Sequence, residues 1–406
     1  KVVNFVECGR FEFIRRTKEK KLYCFGAGKY LDEFIKGDYG IPIKGIIDNY
    51  RYMDNGVKTI GDTAFKIISV DMFRKIYDRD CAVLITCSAF DEIMEQLDSI
   101  REFDGMDCYI ELFVRNETEH VEIAAEQTGG GNIIPKKIHY CWFGGGEMPY
   151  EYRKNIESWK RHCPDYEVVR WDETNYDIHK NKYISQAYEN KKWAFVSDFA
   201  RVDILYKEGG LYFDTDVELV KPFDEFLKWR MFCGFERPEV VAWGLGFGAV
   251  RGERILRDVL DLYEYMVFVN GDGTFNITTC PVIQSDILKK HGFLMNGQFQ
   301  VKDGAAVYPK EYFAPLGYIR GFGRITESTH SIHHYSASWT DSGQMSDRTK
   351  MEGKIARVRE RRGVVLHQSR HGGNRRFQVW ECLEDLGTAG GKAPGDVKRI
   401  MEGLGY

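Results

Sequence analysis

No stretch of the chain approaches the roughly 20 consecutive apolar residues that cross a bilayer. The opening KVVNFVECGRFEF lacks the apolar core of a signal peptide. Ten cysteines include no C-x-x-C pair and no regular spacing, which argues against a zinc site and a disulfide framework. Nor is there an excess of positive charge: a formal net charge of −4 argues against a general nucleic-acid binder. What is there is a chain of 406 residues, 43% hydrophobic and 14% aromatic. That is enough for two or three domains with real cores. Unpaired thiols beside apolar residues (Cys24, Cys81, Cys87) fit a reducing compartment, so the expected location is cytoplasmic.

The first 117 residues alternate short apolar strands with helical patterns. Strand Lys21–Phe25 runs into Gly26-Ala27-Gly28 and a helix through Leu31 and Phe34. A second strand, Gly45–Ile47, ends in Asp48, 22 positions after Gly26. Further strands are expected at 82–86 and 108–113, with helices at 71–77 and 90–100. Strand, G-x-G turn, helix, strand and terminal acid is the layout of a small Rossmann-like parallel α/β domain. Gly26, Gly28 and Asp48 would hold a nucleotide if the unit binds one. Leu31 stands where a third glycine is wanted, which favours a structural or oligomerising role. Residues 118–132, polar and ending in Gly129-Gly130-Gly131, read as a linker. A second domain is expected over 133–342.

That domain is organised around SDFARVDILYKEGGLYFDTDVELVKP, residues 197–222. Phe199, Val202 and Leu205 or Tyr206 recur at helical spacing, and Asp198 and Arg201, three apart, share a face. Gly209-Gly210 stops the helix. Leu211-Tyr212-Phe213 is a short buried strand running into Asp214-Thr215-Asp216. In an extended backbone the two acids point to one side, where their repulsion calls for a divalent cation. Hard oxygen donors suit Mg²⁺ or Mn²⁺ holding a diphosphate. Upstream, IPKKIHYCWFGG (134–145) is a strand leading into a glycine-rich turn, with Trp142 placed to stack on a base. Downstream, HHYSASW (333–339) supplies imidazoles and an indole.

The helix, Gly-Gly stop, strand and D-x-D, in that order, resemble the DXD sugar-binding glycosyltransferases. These are the bacterial capsular polysaccharide transferases and the fungal initiation-specific α-1,6-mannosyltransferases, with a more distant likeness to the glucosylating domain of the large clostridial toxins. The resemblance implies a GT-A type α/β fold and a metal-dependent, retaining hexosyltransferase. Its donor would be a nucleotide-diphosphate sugar (a UDP-hexose favoured, GDP-mannose open). Its acceptor would be a saccharide in capsular or other surface polysaccharide synthesis, lipid-linked in one version. It assigns Ile138, His139, Tyr140 and Trp142 to the donor nucleotide, and Asp198 and Arg201 to the donor sugar. Asp214, Asp216 and His334, with His333 as the alternative histidine, fall on the metal or phosphate. Trp339 falls on the leaving-group oxygen.

Residues 343–406 are expected as a basic helical or partly unstructured extension. Lys350 to Arg362 is rich in Lys and Arg around Met351, Ile355 and Val358, so peripheral contact with an anionic membrane is one expectation, and a solvated helix the other. Two further classes stay open: a non-catalytic nucleotide-sugar or glycan-binding protein, and an oxidoreductase using the G-A-G unit.

Overall fold

A computed structural model describes residues 2–37, 40–52, 56–121, 123, 131–336, 342–362, 364–371 and 375–382. The chain forms two units: Lys1–Glu119 with Ile319–Gly323 and Asp341–Gly395, and His120–Tyr318 with Arg324–Thr340 and Asp396–Tyr406.

In the first unit the near-continuous apolar runs have a direct cause. Tyr23, Phe25, Val83, Ile85 and Cys108 belong to one buried cluster, and their alternates Leu22, Cys24, Ala82, Leu84 and Tyr109 to another. Both faces of the sheet are therefore covered, as a parallel sheet requires. Its strands are β1 (Asn4–Phe5), β2 (Lys21–Phe25), β3 (Ile43–Ile47), β4 (Val57–Ile60), β5 (Thr63–Ile68), β6 (Cys81–Ile85) and β7 (Asp107–Ile110), in the order β1-β7-β6-β2-β3-β5-β4. Every pairing is parallel except the β4–β5 hairpin, which the sequence pattern does not reveal. The strand expected over 108–113 stops at Ile110, and Glu111–Asn116 turns helical. Asp48 has its carboxylate tied to the backbone on both sides. It accepts from the Ala27 N–H at 3.1 Å and from the Tyr50 and Arg51 N–H groups at 3.0 Å, so it closes the loops around it.

Helix Ser342–Arg361, expected as part of a separate extension, packs within this first unit. Ile355 and Val358 are fully buried in its core. The basic side chains are spent on carboxylates of the same unit: Lys354 and Arg357 on Asp91, Arg361 on Glu95, and Arg362 on Asp98. Arg359, 2% exposed, sits between the rings of Phe113 and Phe322 and binds Glu7 and Glu117. The basic run is thus a docking face within the protein. Strands Val364–His371 and Arg375–Cys382 form a hairpin beyond it.

The second unit is a mixed sheet of β8 (Lys137–Cys141), β9 (Glu167–Trp171), β10 (Gly210–Tyr212), β12 (Met231–Arg237), β14 (Phe247–Ala249), β15 (Gln300–Lys302) and β16 (Ala305–Tyr308), in the order β15-β16-β12-β14-β10-β8-β9. A strand pair, β11 (Val217–Leu219) with β17 (Ser331–His333), lies outside it, and β13 (Val240–Val241) flanks β12. The glycine-rich stretch from Val240 to Val250 does not run as one strand: it breaks at Trp243–Leu245, a 3₁₀ turn whose purpose appears at the site. The α/β class expected from the sequence holds in both units. Among the described residues no helix is long and apolar enough to cross a membrane.

Candidate active site

The central helix, Trp193–Glu208, buries residues all round its circumference, including Val196, Phe199, Val202 and Leu205, so it is a core helix rather than an amphipathic one. Its polar residues at the site are therefore buried too: Asp198 is 9% exposed and Arg201 4%. Gly209 ends it with φ 69°, and Gly210 continues at φ 105°. A Cβ at 210 would lie 2.8 Å from the Lys137 carbonyl oxygen, so only glycine lets β10 press against β8 here.

Strand β10 ends at Tyr212, and Asp214-Thr215-Asp216 follows as a turn rather than as further strand. The two acids converge because the turn folds them together, and strand alternation is not the cause. The Asp214 N–H donates to the Gly244 carbonyl at 3.0 Å, which is where the break between β13 and β14 matters. A Cβ on Gly244 would stand 2.0 Å from Asp214 Oδ2 and 2.9 Å from an Arg201 nitrogen. The backbone at 244 thus forms a wall against the acids that admits no side chain.

Behind the turn, Arg201 bridges Asp198 at 2.9 Å and Asp214 at 3.2 Å, with its guanidinium over the Tyr212 ring at 5.1 Å. The Tyr212 hydroxyl donates to Asp214 at 3.1 Å. In front, β17 lies antiparallel to β11 with His333 opposite Val217. That register brings His333 Nε2 to 3.1 Å from Asp216 Oδ1. His334 turns the other way and meets Glu218 Oε2 at 2.8 Å. The sequence assignment of His334 is corrected: adjacent side chains of a strand face opposite sides, and His333 is the one on the acids. Ser336 adds two donors to Asp216 Oδ2, its N–H at 3.0 Å and its hydroxyl at 2.8 Å.

Three carboxyl groups, Asp198, Asp214 and Asp216, share this corner with the Arg201 guanidinium and the His333 imidazole. Burial opposes ionisation of Asp214 and raises its pKa, with Arg201 pulling the other way. Asp216 is buried as well, yet the charge of His333 and the bonds from His333 and Ser336 hold it below the usual carboxylate range. Burial works against protonated His333, but Asp216 outweighs it and raises that imidazole. Burial also raises Asp198, against Arg201. One ligand atom each from Asp214, Asp216 and His333 lies within 4.8 Å of the others. His333 Nδ1 is buried with no hydrogen-bond partner. Two carboxylate oxygens and an imidazole nitrogen fit Mn²⁺ or Mg²⁺ with positions left for phosphate oxygens.

The strand assigned to the donor nucleotide divides. Ile138 is fully buried in the core. The buried His139 bonds the Gly209 carbonyl through Nε2 at 3.0 Å and accepts from the Trp171 indole at 3.0 Å through Nδ1. Burial pushes its pKa down to about 4, so it stays neutral and serves the junction of helix and strand. Tyr140 and Trp142 keep accessible surface, Tyr140 edge-on to Trp159 and Trp142 edge-on to Tyr152. Trp339 lies outside the described residues.

Sequence reasoning missed one supporting face. Helix Tyr150–His162 presents Asn155, Ser158 and Trp159. Asn155 Nδ2 donates to the Thr215 carbonyl at 2.9 Å, and the Trp159 indole to the Val217 carbonyl at 2.8 Å. Ser158 Oγ accepts from the Leu219 N–H at 2.9 Å. Three residues at i, i+3 and i+4 thus hold the backbone at every second position from the middle of the D-x-D to Leu219. The signal was present as three uncharged residues on one face of a charged helix.

This arrangement agrees with what the chain is similar to. Residues 149–232 match the family described as "Glycosyltransferase sugar-binding region containing DXD motif". The matched segment holds the central helix and both acids. Among curated proteins, Inositol phosphoceramide mannosyltransferase 3 of Schizosaccharomyces pombe is 33% identical over 135 residues, 31% of this chain and 36% of that protein. Subversion of eukaryotic traffic protein A of Legionella pneumophila is 27% identical over 126 residues, 24% of this chain and 19% of that protein. The chain therefore spans well under half the length of either relative. Among solved structures, PaToxG Glycosyltransferase aligns with 39% of this chain and 69% of its own, at 21% identity and a TM-score of 0.31.

Proposed function

We propose that the second unit is a metal-dependent, retaining glycosyltransferase that moves a hexose from a nucleotide-diphosphate sugar to a saccharide hydroxyl. The observation that carries this reading is the convergence of Asp214, Asp216 and His333 within 4.8 Å at the end of a buried strand. A divalent cation bound there would supply Lewis-acid neutralisation of the departing diphosphate. In the transfer, the bond from the sugar C1 to the diphosphate oxygen breaks and its electron pair leaves with the diphosphate. The acceptor oxygen bonds to C1, and its proton passes to the released diphosphate. The family resemblance adds that attack comes from the face the diphosphate leaves.

Arg201, held in place by Asp198 and Asp214, presents fixed positive charge to the donor without losing orientation. Asp198 is the acceptor for donor-sugar hydroxyls. Tyr140 and Trp142 are the accessible aromatics for the nucleoside base, and Trp339 takes its role from the sequence resemblance alone. A UDP-hexose is the favoured donor, and a capsular or other surface polysaccharide the favoured product.

Purified protein is assayed for hydrolysis of, and transfer from, a panel of nucleotide-sugars with and without Mn²⁺. Turnover that Mn²⁺ stimulates and that Asp216→Asn lowers at least about a hundredfold is the expected result, the scale of losing a preorganised charge-stabilising group. An Asp216→Asn protein that keeps most of its activity would overturn the assignment.

A further inference from the structure

Among the described residues, three other than glycine have positive φ: Lys191, Asp303 and Tyr335. Lys191 and Asp303 are exposed and sit in turns. Tyr335 is buried, and its φ of 47° is a strained choice for a bulky side chain. Strain of this kind persists only where the surroundings impose it, and it gathers at functional sites.

The surroundings here lead to Asp216. Strand β17 ends at His333, and the left-handed turn at Tyr335 folds the chain back on the acid. Asp216 therefore meets three residues from a run of four. His333 Nε2 lies on Oδ1 at 3.1 Å, the His334 N–H donates to the backbone carbonyl at 2.9 Å, and the Ser336 N–H and hydroxyl donate to Oδ2. An extended residue at 335 would carry Ser336 onward by roughly 3.3 Å per residue and away from the carboxylate.

Glycine or asparagine would take this φ with less strain, so the backbone alone does not call for a tyrosine. What tyrosine adds is a ring. Its centroid lies 4.2 Å from that of the His333 imidazole, with the planes at 62°, and 5.9 Å from that of Tyr318. His333 is held through one nitrogen only: Nε2 meets Asp216, while Nδ1 is buried without a hydrogen-bond partner among the described residues. One hydrogen bond fixes a distance and leaves the ring plane free to swing. Metal-binding imidazoles are ordinarily steadied by a hydrogen bond at their second nitrogen. Here an aromatic contact takes that place.

We propose that Tyr335 is a positioning residue for the metal site: its left-handed backbone brings Ser336 onto Asp216, and its ring fixes the plane of the His333 imidazole beside the acids. This rests on the reading of Asp214, Asp216 and His333 as metal ligands. The backbone and the ring of this one residue then make separable contributions.

The test measures Mn²⁺ affinity of the full chain by titration calorimetry without nucleotide-sugar, well below the thermal midpoint of each variant. Tyr335→Phe keeps the ring and is expected to bind Mn²⁺ as the unsubstituted protein does. Tyr335→Asn and Tyr335→Gly accept the turn but lack the ring, and each should bind at least about tenfold more weakly, the scale of losing an outer-shell partner. Tyr335→Val also resists the turn and should bind more weakly still. In the hydrolysis assay the Gly variant should need about tenfold more Mn²⁺ for half-maximal rate while kcat at saturating Mn²⁺ holds, a split that a loosened fold would not give. Equal Mn²⁺ affinity in the Phe and Gly variants, both intact or both impaired, would overturn the role of the ring. A Val variant binding as well as the Gly variant would overturn the role of the backbone. Absence of Mn²⁺ binding by the unsubstituted protein would instead strike the metal reading, so the failures are told apart.

Discussion

An antiparallel ribbon turns neighbouring side chains to opposite sides, so His333 and His334 cannot share a task. His333→Ala is expected to weaken Mn²⁺ binding at least tenfold by titration calorimetry, since it removes one donor of the set. His334→Ala should leave Mn²⁺ affinity within about twofold and cost about 1 kcal/mol of stability through its bond to Glu218. Equal losses of metal affinity in the two variants would sink the assignment. The residue types were legible in the sequence, because acids and imidazoles announce metal chemistry by composition. Which of two adjacent histidines served was not legible, since that depends on a register set by Val217, 116 positions before His333.

His139 gives a residue-scale prediction on pH. Burial lowers its pKa to about 4, against an ordinary value of 6.5, so the folded protein prefers the neutral ring. The unfolded chain binds this proton first as pH falls. Stability from His139 is therefore complete above about 6.5 and drains away between about 6.5 and 4, in total on the order of 3 kcal/mol. His139→Gln offers a donor and an acceptor but no titration, so its unfolding free energy should fall less steeply over that window, by about one proton. Identical slopes in denaturant unfolding at several pH values would refute it. The sequence placed this residue at the nucleotide because it stands in the right strand. Its inward direction follows from the pairing of β8 with β10, which spacing alone does not give.

At the scale of the element, the D-x-D turn is held from two sides. Gly244 presses on it from one, where a methyl group would overlap Asp214 Oδ2. Gly244→Ala is expected to abolish transfer in the nucleotide-sugar assay while the far-ultraviolet circular dichroism stays unchanged. Activity near that of the unsubstituted protein would show that the wall is slack. From the other side, helix Tyr150–His162 holds Thr215, Val217 and Leu219 through Asn155, Trp159 and Ser158. Asn155→Ala removes the bond to Thr215 and leaves that carbonyl without it. A several-fold higher Mn²⁺ requirement for half-maximal hydrolysis is expected, beyond any change in thermal midpoint. An unchanged requirement would reduce the helix to ordinary packing. The helices and most strands were legible because apolar spacing records which face is buried. The 3₁₀ break at Trp243–Leu245 was not, because apolar residues alternating with Gly244, Gly246 and Gly248 read equally well as one glycine-rich strand.

At the scale of the whole molecule, chain order and unit membership part company. Residues 1–119 look self-sufficient in sequence, with their own alternating strands and helices. Yet the unit they form also takes Phe322 and helix Ser342–Arg361 into its core, contributing Ile355 and Val358. Nothing local could show this, since Arg357, Arg361 and Arg362 meet Asp91, Glu95 and Asp98 across more than 260 positions. The basic run reads as a surface feature until its partners are seen. Arg359 is the most committed of the set, buried with Glu7 and Glu117 around it. Taking away one side of such a buried pairing costs roughly 3–5 kcal/mol, because the remaining charges keep their burial and lose their partner. Exposing the sites of Ile355 and Val358 adds losses of about the size of buried aliphatic truncations, 2–5 kcal/mol each. A chain ending at residue 341 is therefore expected to lose cooperative unfolding of the first unit. Arg359→Met, which retains bulk between Phe113 and Phe322 but no charge, should lower its thermal midpoint while leaving the helix in place. Calorimetry on the full chain, the truncated chain and Arg359→Met makes the comparison, with Mn²⁺-stimulated nucleotide-sugar hydrolysis reporting separately on the second unit. A truncated chain whose first transition matches that of the full protein would mean the helix is an ornament on a complete fold.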